Sequence, residues 1–63
     1  MLYTKLLKLL NNKEFTEIEK IYENKKIIIN EDENLLTIYG MALANQNKYK
    51  LALEPFKKAY SIS

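Results

Sequence analysis

The chain has 63 residues, of which 48% are hydrophobic and 29% charged, and its formal net charge is +2. That length allows one small domain, 1–63, and excludes the larger barrel and nucleotide-binding enzymes. Cysteine and histidine are absent, which removes disulfides and the commonest metal-binding and nucleophilic sites. A single glycine and a single proline argue against a turn-rich β domain.

The charges are unevenly distributed along the chain. Residues 13–33 carry four lysines against seven acids, whereas residues 34–63 carry four lysines against one acid. With no arginine to contact phosphates or bases in a bidentate manner, nucleic-acid binding is disfavoured. No apolar run is long enough to span a membrane, and no signal peptide is recognisable. We therefore expect a cytoplasmic protein.

The first predicted helix covers residues 2–11. Leu2, Leu6 and Leu9 form one apolar stripe at helical spacing, and a second stripe lies beside it. Leu7 and Leu10 belong to that second stripe. Two neighbouring stripes suit a helix that is contacted from two sides. Residues 2–10 taken alone also resemble a membrane-surface peptide, although packing between helices explains the same leucines.

The second predicted helix covers residues 14–28, with Phe15, Ile18 and Tyr22 on one face. Glutamates at 14, 17 and 19 fall in its first turns and lysines at 25 and 26 in its last, which complements the helix dipole. The acidic run 31–33 then offers N-cap residues for a third helix. It lacks the ligand spacing of a calcium loop.

The third and fourth helices are predicted at 33–45 and 48–62. A broad apolar surface marks the third helix, and Tyr49, Ala52 and Phe56 follow helical spacing in the fourth. Pro55 lies inside the fourth helix, where it removes one backbone hydrogen bond and is expected to bend the helix.

The chain matches itself when Leu2 is placed on Leu36, a spacing that we call the repeat offset, and both asparagine-rich breaks then coincide. The other matching pairs are Leu9 and Leu43, Asn11 and Asn45, Phe15 and Tyr49, Tyr22 and Phe56, and Ile28 and Ile62. A helix–turn–helix period of about 34 residues is typical of tetratricopeptide repeats (TPR).

The second unit, 33–63, resembles the TPR family in its residues. Leu36 stands where the family has a large residue, Gly40 where it has glycine, and Ala52, Phe56 and Ala59 where it has small, aromatic and small residues. The resemblance implies an all-α fold of two hairpins stacked as a short α-solenoid, with two helices crossing closely at Gly40. The first unit, 1–32, is degenerate. A four-helix bundle with an accidental spacing is the alternative.

The resemblance also implies a concave groove that is lined by the first helix of each hairpin and binds a partner helix or peptide. Its positions in this sequence are Tyr3, Leu7, Leu10, Asn11, Thr37, Met41, Ala44 and Asn45. Lys and Asn clamps for a peptide carboxylate are missing, so an apolar segment is the expected ligand. Two alternatives stay open: the leucines and Met41 pack between hairpins, and Asn11 and Asn45 are helix C-caps.

Four apolar residues of the last helix are not used by its own hairpin, and a self-association or capping face is predicted there. These residues are Leu51, Leu53, Tyr60 and Ile62. Repeat arrays usually need more than two repeats to cover their apolar surfaces, so a homodimer or higher oligomer is one expectation. Docking onto another helical-repeat protein is the alternative.

The remaining features favour a binding protein over an enzyme. No catalytic constellation or phosphate-binding loop can be assembled from the sequence, and no cofactor or metal is predicted. The lysines at 48, 50, 57 and 58 indicate either attraction to an acidic partner or a solvated helix face. The function predicted is a protein–protein interaction module, with neither its partner nor its pathway specified.

Overall fold

The computed structural model describes all residues 1–63 and contains five α-helices and no strand. The helices are α1 (Leu2–Asn11), α2 (Phe15–Asn24), α3 (Lys26–Asn30), α4 (Glu33–Ala44) and α5 (Tyr49–Ile62). The predicted all-α class is confirmed. The radius of gyration is 10.3 Å, close to the value of about 10.6 Å expected for a compact chain of this length.

The prediction of one continuous helix over 14–28 is wrong. The helix breaks at Lys25, whose φ of −132° and ψ of 36° are not helical, and a separate five-residue helix, α3, follows. The break redirects the chain so that Ile29 is fully buried and the Tyr22 hydroxyl donates to Asn30 Oδ1 at 3.0 Å. In a straight helix Tyr22 and Asn30 would be about 12 Å apart along the axis.

Helix α4 lies at the centre of the fold, because it packs against each of the other four helices. Helix α5 packs chiefly on α4, and this is the most extensive helix pair. Every helix contributes to the core cluster, and α4 supplies half of its members. The cluster consists of Leu6, Ile18, Ile29, Leu35, Leu36, Ile38, Ala42 and Ala59.

Helix α4 begins at a side-chain cap. Asp32 Oδ1 accepts the backbone N–H groups of Asn34 at 2.9 Å and Leu35 at 3.0 Å. These donors have no partner within the helix, and an aspartate at this position satisfies them while complementing the helix dipole. The capping role predicted for the acidic run is therefore confirmed for Asp32.

The turns α1–α2 and α4–α5 have the same backbone geometry. Lys13 has a φ of 60° and Asn47 a φ of 64°, the only positive φ values of non-glycine residues in the chain, and the repeat offset relates these two positions. The next residue closes each turn: Glu14 N–H donates to the Leu9 carbonyl at 2.9 Å, and Lys48 N–H to the Leu43 carbonyl at 3.0 Å. The two turns that the repeat offset relates therefore also have the same backbone conformation.

Helix α5 continues through Pro55, which is buried. Proline has no N–H, so it cannot donate the helical hydrogen bond to the Leu51 carbonyl. The ring instead takes part in packing close to Ala52 and Ala59, the other two buried residues of this helix.

Candidate interaction surface

Helices α4 and α5 approach each other closely at Gly40. A Cβ atom at this position would lie 2.6 Å from Cε1 of Phe56 and 2.8 Å from its Cδ1, which is well inside van der Waals contact. The Phe56 ring therefore lies directly over the glycine, as the small residue at this position predicts. This contact divides the α4–α5 hairpin into two sides, which carry different residues.

The four residues predicted as one self-association face do not share a face of α5. All are exposed, but helical geometry of about 100° per residue puts Leu51 and Leu53 about 160° apart around the axis. Leu53 lies near Tyr60 and Tyr49 on one flank of α5. Leu51 and Ile62 lie on the other flank, at opposite ends of the helix. The sequence predicts that these four residues are not used within the hairpin. The position of the core determines which of them lie on the same side of α5.

The Leu51 flank borders a cleft between α2, α3, α4 and α5. The cleft has a volume of about 230 Å³, and its walls combine aromatic, charged and aliphatic groups. The lining residues are Glu19, Tyr22, Asn30, Tyr39, Leu43, Leu51, Glu54, Pro55 and Lys58. Sequence reasoning missed this cleft, because it joins residues of four helices without a motif.

Two tyrosines form the inner wall of the cleft. The rings of Tyr22 and Tyr39 are stacked, with centroids 3.8 Å apart and planes 6° from parallel. Burial raises the pKa of the Tyr39 hydroxyl, and the neighbouring Tyr22, Glu19 and Glu23 raise it further. The stack joins α2 to α4 and covers this part of α2.

Glu19 connects α2 to the turn between α4 and α5. Its carboxylate accepts a hydrogen bond from Gln46 Nε2 and forms an ion pair with Lys48 Nζ at 3.1 Å. Partial burial works to raise the pKa of Glu19, but the hydrogen bonds from Gln46 and Lys48 and the charge of Lys48 outweigh it, and the pKa is lowered. The sequence contains no local signal for these contacts between residues 27 and 29 positions apart.

This lowered pKa makes the contribution of Glu19 to stability depend on pH. The contribution is present above the ordinary pKa of 4.5 and is lost as pH falls through the lower pKa of the folded state. We expect Glu19→Gln to reduce the free energy of unfolding by about 0.5 kcal/mol at neutral pH, since the pair is partly exposed. In acid, where the carboxyl is protonated in both the folded and the unfolded chain, this loss disappears. Urea titrations at several pH values measure the difference, with Glu17→Gln as the control, because the ion pair of Glu17 with Lys20 is more exposed. An equal loss at all pH values would contradict the prediction.

The opposite side of the hairpin is open. The Tyr49, Leu53 and Tyr60 stripe of α5 lies here beside Phe56, and α4 contributes its exposed arc. We call this surface the open face, defined by Thr37, Met41, Ala44, Tyr49, Leu53, Phe56 and Tyr60. It combines three of the four α4 positions of the predicted groove with half of the predicted self-association face.

The α1 half of the predicted groove has a different environment. Leu7 and Leu10 are half-buried and pack against the core cluster, which favours the packing alternative for these two residues. Tyr3 and Asn11 are exposed on the same helix. The Asn45 side chain donates to the carbonyl of Met41 at 2.7 Å, which favours the helix-capping alternative for Asn45.

The lysines of the C-terminal half do not form a single basic face. Lys48 is paired with Glu19 and Lys58 lines the cleft. Lys50 and Lys57 are exposed and lie about 40–60° around α5 from Leu53. Positive charge therefore borders the open face along its α5 edge.

These features define a small all-α protein with a repeated hairpin turn and an exposed apolar helix face. Comparison with family models, with curated proteins and with solved structures found no match to this chain. None of its helices combines the length and apolar character needed to cross a membrane. No three acidic side chains converge in a way that could hold a metal ion.

Proposed function

We propose that this protein is a TPR-type protein–protein interaction module that binds a helical or peptide partner through the open face. The observation that carries the proposal is the exposure of Tyr49, Leu53 and Tyr60 along one stripe of α5, with no element of the chain packed over them. Contiguous exposed aromatic and aliphatic side chains are typical of interaction sites, and aromatic anchors contribute strongly to binding.

The repeat interpretation is supported by the turns. Two turns that share a left-handed residue and a closing hydrogen bond at the repeat offset are expected for two copies of one unit, whereas an accidental four-helix bundle has no reason to repeat them. The packing order also agrees, since α4 contacts α1, α2 and α5 as the first helix of a second stacked repeat would.

The groove in this proposal is shifted from its predicted position. Thr37, Met41 and Ala44 remain available on α4, while Leu7 and Leu10 serve packing. Leu53 and Tyr60 of the predicted self-association and docking face belong to the open face, so Leu53→Glu tests those two alternatives as well. A nucleic-acid partner is disfavoured, since the lysines of this half of the chain are divided between two flanks of the hairpin and one of them is already paired with Glu19.

The test compares two leucines on opposite flanks of α5. Leu51 is 61% exposed and Leu53 is 52% exposed, so a glutamate at either position has a similar effect on folding. We expect Leu53→Glu to reduce partner binding about tenfold or more, because it puts a charge into the apolar contact, whereas Leu51→Glu binds normally. Met41→Glu is expected to reduce binding as well.

The measurement is the amount of partner that the immobilised full chain captures, compared between the unmodified chain and each variant. Light scattering of each free variant measures self-association. Circular dichroism confirms that each variant is folded. Equal capture by the Leu51 and Leu53 variants, with both folded, would contradict the proposal.

A further inference from the structure

The first hairpin contains a partly covered copy of three α5 residues of the open face. At the repeat offset, Tyr49 corresponds to Phe15, Leu53 to Glu19 and Phe56 to Tyr22. The three positions of α2 are all half-buried, while Tyr49 and Leu53 of α5 are exposed. Phe56 is half-buried like Tyr22, because its ring lies on Gly40. The two stripes therefore differ at their first two positions, which are partly covered in the first hairpin and exposed in the second.

Helix α4 is the element that covers the α2 stripe. Tyr39 of α4 stacks on Tyr22 at 3.8 Å, and Gln46, in the turn that follows α4, donates to Glu19. The partner of a stripe of this shape is thus visible within the molecule: one apolar α-helix that stacks an aromatic ring on Tyr22, the last residue of the stripe.

We propose that the open face binds an amphipathic α-helix with the chemistry of α4 and an acidic margin, an inference that rests on the proposed function. Phe56 replaces Tyr22 as the ring for the partner's aromatic residue. Leu53 replaces Glu19, so this site offers an aliphatic contact instead of an ion pair. Lys50 and Lys57 at the edge favour acidic residues on the partner.

A second copy of the chain fits this site poorly in head-to-tail stacking and in a two-fold pairing of α5 helices. In head-to-tail stacking, α1 would take the place of α4, and the residues that correspond to Tyr39 and Ala42 are Lys5 and Lys8. In a two-fold pairing of α5 helices about the middle of the stripe, Lys50 of one copy lies within about 3 Å along the axis of Lys57 of the other. Burying lysines or placing like charges together is unfavourable in either case.

The experiment uses the chain's own α4 as the probe. A synthetic peptide of residues 32–46 is titrated into the isotope-labelled full chain, and amide chemical shifts are followed. We expect saturable shifts at the open face. Leu53→Glu weakens the dissociation constant about tenfold or more and Leu51→Glu leaves it within about twofold. A peptide with Tyr39→Ser binds more weakly.

Charge preference is tested with two further peptides that carry either glutamate or lysine at the exposed positions Asn34 and Asn45, which lie at the edge of the side that carries Tyr39 and Ala42. The acidic peptide is expected to bind more tightly, by about threefold at low salt, with the difference reduced at high salt.

Several results would overturn this inference. They are the absence of saturable binding, shifts spread through the core as expected if the peptide displaced α4, equal binding by the two charged peptides, and a dimer of the free chain that Leu53→Glu dissociates. If the peptide does not bind while Leu53→Glu still abolishes partner capture, the inference fails and the proposed function stands. If the peptide does not bind and Leu53→Glu leaves partner capture unchanged, both the inference and the proposed function fail.

Discussion

Replacing Ile29 with alanine is expected to reduce the free energy of unfolding by about 2–5 kcal/mol, the range for truncating a fully buried isoleucine. A chain of this size has a total stability of about 3–9 kcal/mol, so the variant loses much of its cooperative transition. The physical reason is that Ile29 is the only buried residue of α3 and attaches this short helix to the core.

The neighbouring isoleucines provide a matched control. Ile27 is 79% exposed, whereas Ile29 has no exposed surface. Ile27→Ala is therefore expected to change stability by less than about 0.5 kcal/mol. Thermal and urea unfolding, followed by circular dichroism, measure both variants. A similar loss for Ile27→Ala would mean that the helix does not break at Lys25 as described.

Substituting alanine for Gly40 is the second change with a large expected effect. Alanine has the higher helix propensity by about 1 kcal/mol, so on propensity alone the variant would be more stable. The added Cβ, however, would lie 2.6 Å from the Phe56 ring. Overpacking of this kind typically costs about 1–3 kcal/mol, and we expect a net destabilisation.

A double-mutant cycle separates the steric effect from propensity. In a Phe56→Leu background the ring is gone, so Gly40→Ala is expected to be neutral or stabilising. The coupling between the two positions is expected to exceed about 1 kcal/mol. Equal effects of Gly40→Ala in both backgrounds would show that Phe56 does not restrict this position, and a stabilised single variant would contradict the close approach of α4 and α5.

The break in the second predicted helix illustrates what local pattern cannot provide. Residues 14–28 have helical periodicity and favourable charge at both ends, and nothing between Asn24 and Lys26 is a strong breaker. The chain bends because Ile29 then reaches the core and Asn30 reaches Tyr22. Tertiary contacts outweigh the small cost of interrupting one helix, and the packing of α3 and Ile29 involves α4, which lies later in the chain.

The sequence likewise predicts which residues are exposed but not how they group on the surface of the protein. The residues left over by the hairpin pattern are indeed exposed, but the pattern does not reveal that Leu51 and Leu53 belong to different flanks with different neighbours. Predicted groove positions likewise separate into packed leucines on α1 and exposed residues on α4. The Glu19 network and the tyrosine stack join residues too far apart in sequence for a periodicity to indicate.

The helical class, the location of the two asparagine-containing turns and the offset at which the chain resembles itself all follow from the amino-acid sequence alone. These properties depend on local periodicity, capping residues and turn preferences, which are readable within a few residues. The break in the second helix, the open flank of α5 and the surroundings of Glu19 required the folded structure. Those outcomes depend on how α4 packs against four other helices at once, and burial against distant segments is not encoded in any single stretch of the chain.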